Sequence, residues 1–437
     1  MNQEVTSILV LAAIFAIGTL RPINMGLLGI TAAFVVGSAV GVSEDDIFAG
    51  FPGDLFIILV GVTYLFAIAN NNGTVDWLVH AAVRAVGGRV ALIPWVMFAI
   101  TAVLTAVGSV VPAAVAIVAP IALGFAVRYK INPVMMGLMV VNGATAGGFS
   151  PISIFGSIVN GVVESNNLAG NPTLLFFSSL IFNTVLSVVV FFMFGGRDLM
   201  RRRVDPEPEA TERFKRETTA KGQPVIGGGA VAMTAEAPAL NRDRILTLIG
   251  IGALVVIALT LDWDVGFVAV TIAVILSLLM PGATKDAAAK VAWPTVLLIC
   301  GIVMYVALLQ EMGTIDWLGE KVAEVGTPLL AALLICFIGA AVSAFASTTG
   351  ILGALIPLAV PFLAQGEIGA VGVIIALCIS SSVVDSSPFS TSGALVVANT
   401  PEERRDRVYK RLLQWGMSMI IIAPITAWTI FVLPGWL

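Results

Sequence analysis

The chain has 437 residues, 58% of them apolar and 11% charged, against roughly 45–50% and about 25% in ordinary soluble domains. With a mean hydropathy of +1.00, that balance excludes a soluble globular protein. Of its 23 basic and 27 acidic residues, 18 crowd into Arg197–Arg244, so the net charge of −4 says little about partners; no nucleic-acid partner is expected.

Apolar runs at Ser7–Leu20, Met25–Val42, Leu55–Ala69, Val90–Val107, Leu174–Phe194, Ile245–Leu261, Val265–Leu279 and Met417–Leu437 mostly approach or exceed the roughly 17–25 residues that span a bilayer. They predict an all-α polytopic membrane protein embedded in a lipid bilayer. Met1–Ser7 lacks Lys and Arg and no small-residue cleavage site follows Leu20, so the first run is expected to remain as a span. Cys300, Cys336 and Cys378 lie inside apolar runs and read as packing residues.

A long-period repeat is present. Gly73-Thr74-Val75-Asp76-Trp77-Leu78 recurs as Gly313-Thr314-Ile315-Asp316-Trp317-Leu318; Asn24-Met25-Gly26 answers to Asp264-Val265-Gly266, and Ser150-Pro151 to Ser387-Pro388. The order is the same in both halves. These landmarks divide the chain into a first repeat, 1–194, a linker, 195–243, and a second repeat, 244–437.

Lys and Arg near span ends favour the cytoplasm. With five spans and one re-entrant hairpin per repeat and the N-terminus outside, every basic residue except Lys321 falls inside, while Glu44, Asp45, Asp46, Glu164, Asp262, Asp264 and Glu367 fall outside. The loop-like segment Glu164–Asn171 has no basic residue, whereas its counterpart Glu402–Arg411 has five. An odd span count with opposite loop charge predicts inverted repeats, both termini outside and a cytoplasmic linker.

The hairpins are expected at 89–130 and 326–366. Each is an apolar stretch interrupted by a small polar turn, Gly108-Ser109-Val110-Val111-Pro112 in the first and Ser347-Thr348-Thr349-Gly350 in the second. Such turns suit loops that reach part-way across a membrane. Broken helices are expected next, at 131–162 and 368–398. Their centres are Asn142–Ser153, rich in Gly, and Ser380–Thr391, rich in Ser and containing Asp385. Gly and Pro weaken a helix, and interrupted segments at matching places in two repeats point to a transporter site.

Helix N-termini after the hairpin turns and Ser-Pro breaks offer amides to a carboxylate, and Ser109, Ser150, Ser153, Thr348, Thr349, Ser387 and Ser390 add hydroxyls. Unwound carbonyls with Asp385 suit a small hard cation such as sodium; an intramembrane carboxylate is costly and usually functional. The same Ser and Thr could instead bond back to earlier carbonyls, and the Gly runs could serve close helix packing. His80 belongs with Arg84 on an amphipathic surface helix, and Trp77 and Trp317 read as interfacial anchors.

Two inverted repeats, each with a hairpin followed by a helix carrying a Ser-Pro break, resemble the ion transporter superfamily, which includes the divalent anion:sodium symporters. Gly143–Asn160 is most similar to the MatC-type dicarboxylate carriers. The resemblance implies a homodimer with scaffold and transport regions in the inner (plasma) membrane. It also implies elevator-type uptake of C4-dicarboxylates or malonate coupled to Na+, with no organic cofactor. By position it places substrate at Ser109, Ser150, Pro151, Ser153, Thr349, Ser387, Pro388 and Ser390. One sodium site falls at Ser109, Gly147 and Gly148, and a second at Ser347, Thr348, Asp385 and Ser386. The symporters' Ser-Asn-Thr hairpin signature stands here as Ser347-Thr348-Thr349, while the first half has Gly108-Ser109-Val110 and places Gly148 where the second has Asp385. A sodium/proton antiporter or other oxyanion carrier is the alternative. An enzyme lacks a paired His, a carboxylate pair or a Cys–His set in the spans, and opposed hairpins serve alternating access better than a channel.

Overall fold

The computed structural model describes residues 3–21, 23–75, 77–78, 81, 89–201, 240–261, 263–315, 317, 328–344, 348–364 and 368–435, and no strand occurs among them. The first half comprises α1 (Gln3–Leu20), α2 (Met25–Val40), a short α3 (Glu44–Ala49), α4 (Gly53–Asn71), α5 (Ile93–Ala106), α6 (Val111–Arg128), α7 (Pro133–Gly147), α8 (Ile154–Ser165), α9 (Pro172–Met193) and α10 (Gly196–Arg201). The second comprises α11 (Arg242–Thr260), α12 (Val265–Leu279), α13 (Trp293–Glu311), α14 (Pro328–Ser343), α15 (Thr348–Ala364), α16 (Ala370–Val383), α17 (Thr391–Ala398) and α18 (Glu402–Phe431). Elements α11–α18 follow the order of α1, α2 and α4–α9. Among the described residues, six segments are long and apolar enough to cross a membrane: α4, α6, α9, α13, Ala370–Ala398 and α18.

The repeated sequence landmarks have physical causes. Asn24 and Asp264 are the N-caps of α2 and α12, their side chains accepting from the Gly26 amide at 2.9 Å and the Phe267 amide at 2.8 Å. A Cβ on Gly26 would overlap the Leu297 carbonyl of α13, and one on Gly266 would lie 2.6 Å from the Ile58 nitrogen of α4. These glycines let α2 close on α13 and α12 close on α4. Gly73 and Gly313 end their helices with φ of +74° and +71°, where glycine is favoured. Each is followed by a buried threonine. Thr314 meets Ser7 of α1 at 3.1 Å, while Asn72 donates to Thr247 of α11 at 2.6 Å.

Two hydrophobic clusters follow from this pairing. One is built from α1, α2, α4, α11, α12 and α13; the other from α5–α7, α9, α14, α16 and α18. Helices α8 and α15 serve both. Ile154 and Ile158 of α8 face the first cluster while Phe155, Val159 and Val162 face the second, and on α15 Ala354 joins the first while Leu352 and Ile356 join the second. Across the halves, α15 packs on α8 and α17 on α6.

Three expectations change. Glu402–Arg411, read as a loop, is the first third of the 30-residue helix α18. Glu402 and Glu403 favour its N-terminus, and Glu403/Arg407 and Asp406/Lys410 are acid-before-base pairs four residues apart, so a polar segment remains helical. Helix α7 stays helical through Gly143 to Gly147, and α16 through Ser380–Ser382, so the breaks are shorter than Asn142–Ser153 and Ser380–Thr391. Thr348–Gly350 form the first turn of α15 rather than a polar turn before it, and Ser347 lies outside the described residues. His80, Arg84, Asp76, Asp316, Lys321, Asp262 and Glu367 also lie outside them, as does 202–239 of the linker.

Candidate functional site

Two matching turns form the centre of the site. In the first, α7 ends at Gly147 and Ser153 caps α8, its Oγ accepting from the Gly156 amide at 3.2 Å while donating to the carbonyls of Gly148 and, at 2.7 Å, Ser150. In the second, residues 384–386 form a 3-10 turn and Ser390 caps α17. Its Oγ accepts from the Gly393 amide at 3.2 Å and donates to the carbonyls of Asp385 and, at 2.8 Å, Ser387. A Cβ on Gly156 or Gly393 would collide with the Ser150 or Ser387 carbonyl. The serines and glycines therefore hold a tight turn, and the hydroxyls of Ser153 and Ser390 are occupied within it. Helix α7 packs against both the 384–386 turn and α17, so the breaks lie close together in the second cluster.

The helix pairs end beside these turns and touch the first cluster. Helix α5 closes with the Ser109 amide bonded to the Leu104 carbonyl at 2.9 Å and the Gly108 amide to Thr105 at 3.0 Å, a Schellman arrangement with Gly108 at φ +115°. A Cβ on Gly108 would meet Val62 and Phe66 of α4 and lie 3.5 Å from the Ile152 carbonyl. Helix α6 then starts at Val111 without a side-chain cap. In the second half, Gly350 faces Leu298 of α13.

Asp385 is 5% exposed. Thr348 donates to its Oδ1 at 3.1 Å and Ser392 to its Oδ2 at 3.4 Å. The Thr348 hydroxyl lies 2.7 Å from that of Ser343, which donates to the Ser381 carbonyl at 2.7 Å. Among the described residues, Ser381 Oγ is buried without a hydrogen-bond partner. The first half has an uncharged network instead. Thr145 donates to Asn183 of α9 at 2.9 Å, Asn183 to the Ser179 carbonyl at 3.0 Å, and Asn142 to Ser187 at 3.2 Å. Bonds of this kind inside a membrane stabilise by about 0.6 kcal/mol each.

The expected residues sort by what their polar atoms already do. Ser109 and Thr349 are buried, Ser150 is 7% exposed and Pro151 is half-buried. Ser109 reaches only the Val110 carbonyl at 3.5 Å, and the hydroxyls of Ser150 and Thr349 make no hydrogen bond among the described residues. Ser386 donates to the Val383 carbonyl at 3.0 Å, and Ser387 accepts from the Phe389 amide at 3.3 Å; Pro388 is buried beside them. The Gly147 carbonyl accepts from the Ser150 amide and that of Gly148 from the Gly156 amide. Gly147 also faces the Ala102 carbonyl and the Thr105 hydroxyl of α5, so the packing reading of the Gly run applies to it. Ser343, Ser381 and Ser392 were not singled out from sequence. Ser381 is four residues before Asp385 and Ser392 seven after, but Ser343 lies 42 residues away and only the fold joins it to the carboxylate. Cys300, Cys336 and Cys378 are free and buried.

Residues 1–148 match the family model for the N-terminus of the dicarboxylate carrier protein MatC, and residues 263–436 match that of the CitMHS citrate transporters. The two halves of the chain thus carry domains of the ion transporter family. Both matched families are carriers, so this is a multi-pass membrane transporter rather than an enzyme. Among solved structures, this carrier is similar to the YdaH transporter of Alcanivorax borkumensis, with 13% identity and a TM-score of 0.57 over 88% of this chain and 86% of that one. At that identity the likeness is one of fold. A comparison with curated proteins gave no match.

Proposed function

We propose that this carrier is a sodium-coupled symporter of small dicarboxylates, C4-diacids or malonate, working by an elevator-type movement as a homodimer. The observation that carries the sodium assignment is Asp385. It is a buried carboxylate whose bonded partners among the described residues are hydroxyls, and a buried charge calls for a counter-charge. Thr348, Ser386 and Asp385, together with Ser347, offer oxygens to one sodium ion, and the free Ser381 hydroxyl is a further donor. Ser109 and the Gly147 and Gly148 carbonyls are the proposed first site, which has no carboxylate. The diacid is assigned to the hydroxyls of Ser109, Ser150 and Thr349 and to the uncapped start of α6, where free amides favour an anion. Ser153, Ser387, Pro388, Ser390 and Pro151 then shape the turns around it.

The division into two clusters supports the elevator reading, because α8 and α15 carry the site along the boundary between them. The α1/α2/α4 and α11–α13 cluster is assigned as scaffold, and the opposite-facing repeats, both outside termini and a cytoplasmic linker complete the proposal. A proton on Asp385 is the second reading, since the same hydroxyls can bond a carboxyl group.

Uptake into proteoliposomes of radiolabelled succinate, malonate and citrate, with and without an inward sodium gradient, tests this. Faster diacid than citrate uptake under the gradient is expected. Diacid uptake that ignores the gradient overturns the sodium assignment, and citrate as the preferred substrate overturns the diacid assignment.

A further inference from the structure

Away from the two breaks, a groove runs between the start of α7 and the polar first third of α18. Two recesses of about 510 and 530 Å³ share Asn132, Val134, Phe194 and Arg407. Lys130, Asp198 and Arg404 line the first, while Met193 and Arg411 complete the second. The second recess therefore has two guanidinium groups and no acid. Arg404, Arg407 and Arg411 are spaced by three and four residues, which places them in one stripe along α18. Among the described residues, the guanidinium groups of Arg404 and Arg407 make no hydrogen bond, and that of Arg411 reaches only the Gln414 amide oxygen at 3.4 Å.

Val134, Met193 and Phe194 give this recess an apolar side. Met193 is 56% exposed at the end of the membrane-length helix α9. Helix α18 has 30 residues, about 45 Å, against roughly 30 Å of hydrocarbon, so its charged first third projects beyond the core. Trp415, one turn beyond that third, is buried and meets Phe194 edge-to-face at 6.4 Å, fixing the ring that lines the recess.

We propose that this groove binds an anionic phospholipid, with its phosphate on Arg407 and Arg411 and an acyl chain along Met193 and Phe194. A planar guanidinium matches phosphate oxygens in pairs, and basic pockets beside membrane helices suit anionic headgroups. The apolar side chains of Val134, Met193 and Phe194 beside the two arginines favour a lipid over free phosphate, which has no use for them. The location matters to the rest of the molecule: α7 leads to the first break, and Gly416 of α18 lies against Ser387, where an added Cβ would be 2.8 Å from the Ser387 Cβ. A lipid here joins the outer ends of the two helices that frame the breaks.

The test uses the full chain in zwitterionic nanodiscs with phosphatidylglycerol titrated in, read by native mass spectrometry and by thermal midpoint. The native chain should retain the anionic lipid and gain stability from it. Arg407→Gln/Arg411→Gln should bind it about 30-fold more weakly, the scale for losing two cations from such a site, with an unchanged midpoint in phosphatidylcholine alone. If that variant does not fold, Arg411→Gln alone must show the loss instead, at about 5-fold. Equal retention by the variant that folds overturns the proposal. So does displacement of the lipid by millimolar inorganic phosphate, which would make this a site for a soluble anion.

Discussion

The Thr348 hydroxyl donates to Asp385 Oδ1 at 3.1 Å, joining the first turn of α15 to the break that follows α16. Removing it leaves the buried carboxylate one donor short, a loss of about 1–3 kcal/mol. Thr348→Val is expected to weaken apparent sodium affinity by roughly 5- to 150-fold on that scale, while Thr348→Ser stays near the native value. Sodium titration of diacid uptake checks both, and equal midpoints for the Val and Ser variants would remove Thr348 from the cation site.

Gly147 and Gly148 are neighbours with opposite tolerances. A Cβ on Gly147 would overlap backbone and side-chain oxygens of α5, whereas at Gly148 the nearest atoms are 3.2 Å away, two of them side-chain carbons. Gly147→Ala should cost about 1–3 kcal/mol and Gly148→Ala less than about 1 kcal/mol, seen as a large and a small change in thermal midpoint in detergent. Because Gly148→Ala keeps its carbonyl, sodium dependence should persist.

Much of this arrangement was legible in the residues. The Asn24/Asp264 and Gly73/Gly313 landmarks recur because caps and positive φ are local demands, met by the same residue types in both halves. The Ser-Pro breaks were legible for the same reason. The extent of unwinding was not. Gly143 and Gly147 weaken an isolated helix, but their lack of side chains lets α7 lie against the α5 backbone, and that packing keeps the helix intact. The α18 error came from equating polarity with loop, where acid-before-base spacing sustains a helix. Ser343 was invisible because its link to Asp385 is tertiary.

The capping serines give a symmetrical prediction. Ser153 and Ser390 make the same three bonds in their turns, so Ser153→Ala and Ser390→Ala should each cost about 0.5–2 kcal/mol. Thermal unfolding of the two variants should show similar decreases. A collapse in diacid affinity without loss of stability would mean that these hydroxyls contact substrate directly.

Gln310 of α13 donates to Asn166 at the end of α8 at 2.5 Å, a polar link between the proposed scaffold and the site-bearing body. An elevator must break it. Gln310→Cys/Asn166→Cys, bridged by mercuric ion, should lose uptake and regain it when excess dithiol extracts the mercury, with little background because the native cysteines are buried. Full transport by the bridged protein would contradict movement at this boundary.

The sodium midpoint of diacid uptake by Asp385→Asn, measured at two pH values, is the most direct test of Asp385 as the seat of the coupling ion. The substitution keeps an oxygen ligand and removes the charge. The account predicts a steeply raised sodium midpoint, with diacid exchange at saturating sodium partly preserved. An unchanged midpoint with loss of the pH response alone would contradict it and assign Asp385 to a proton.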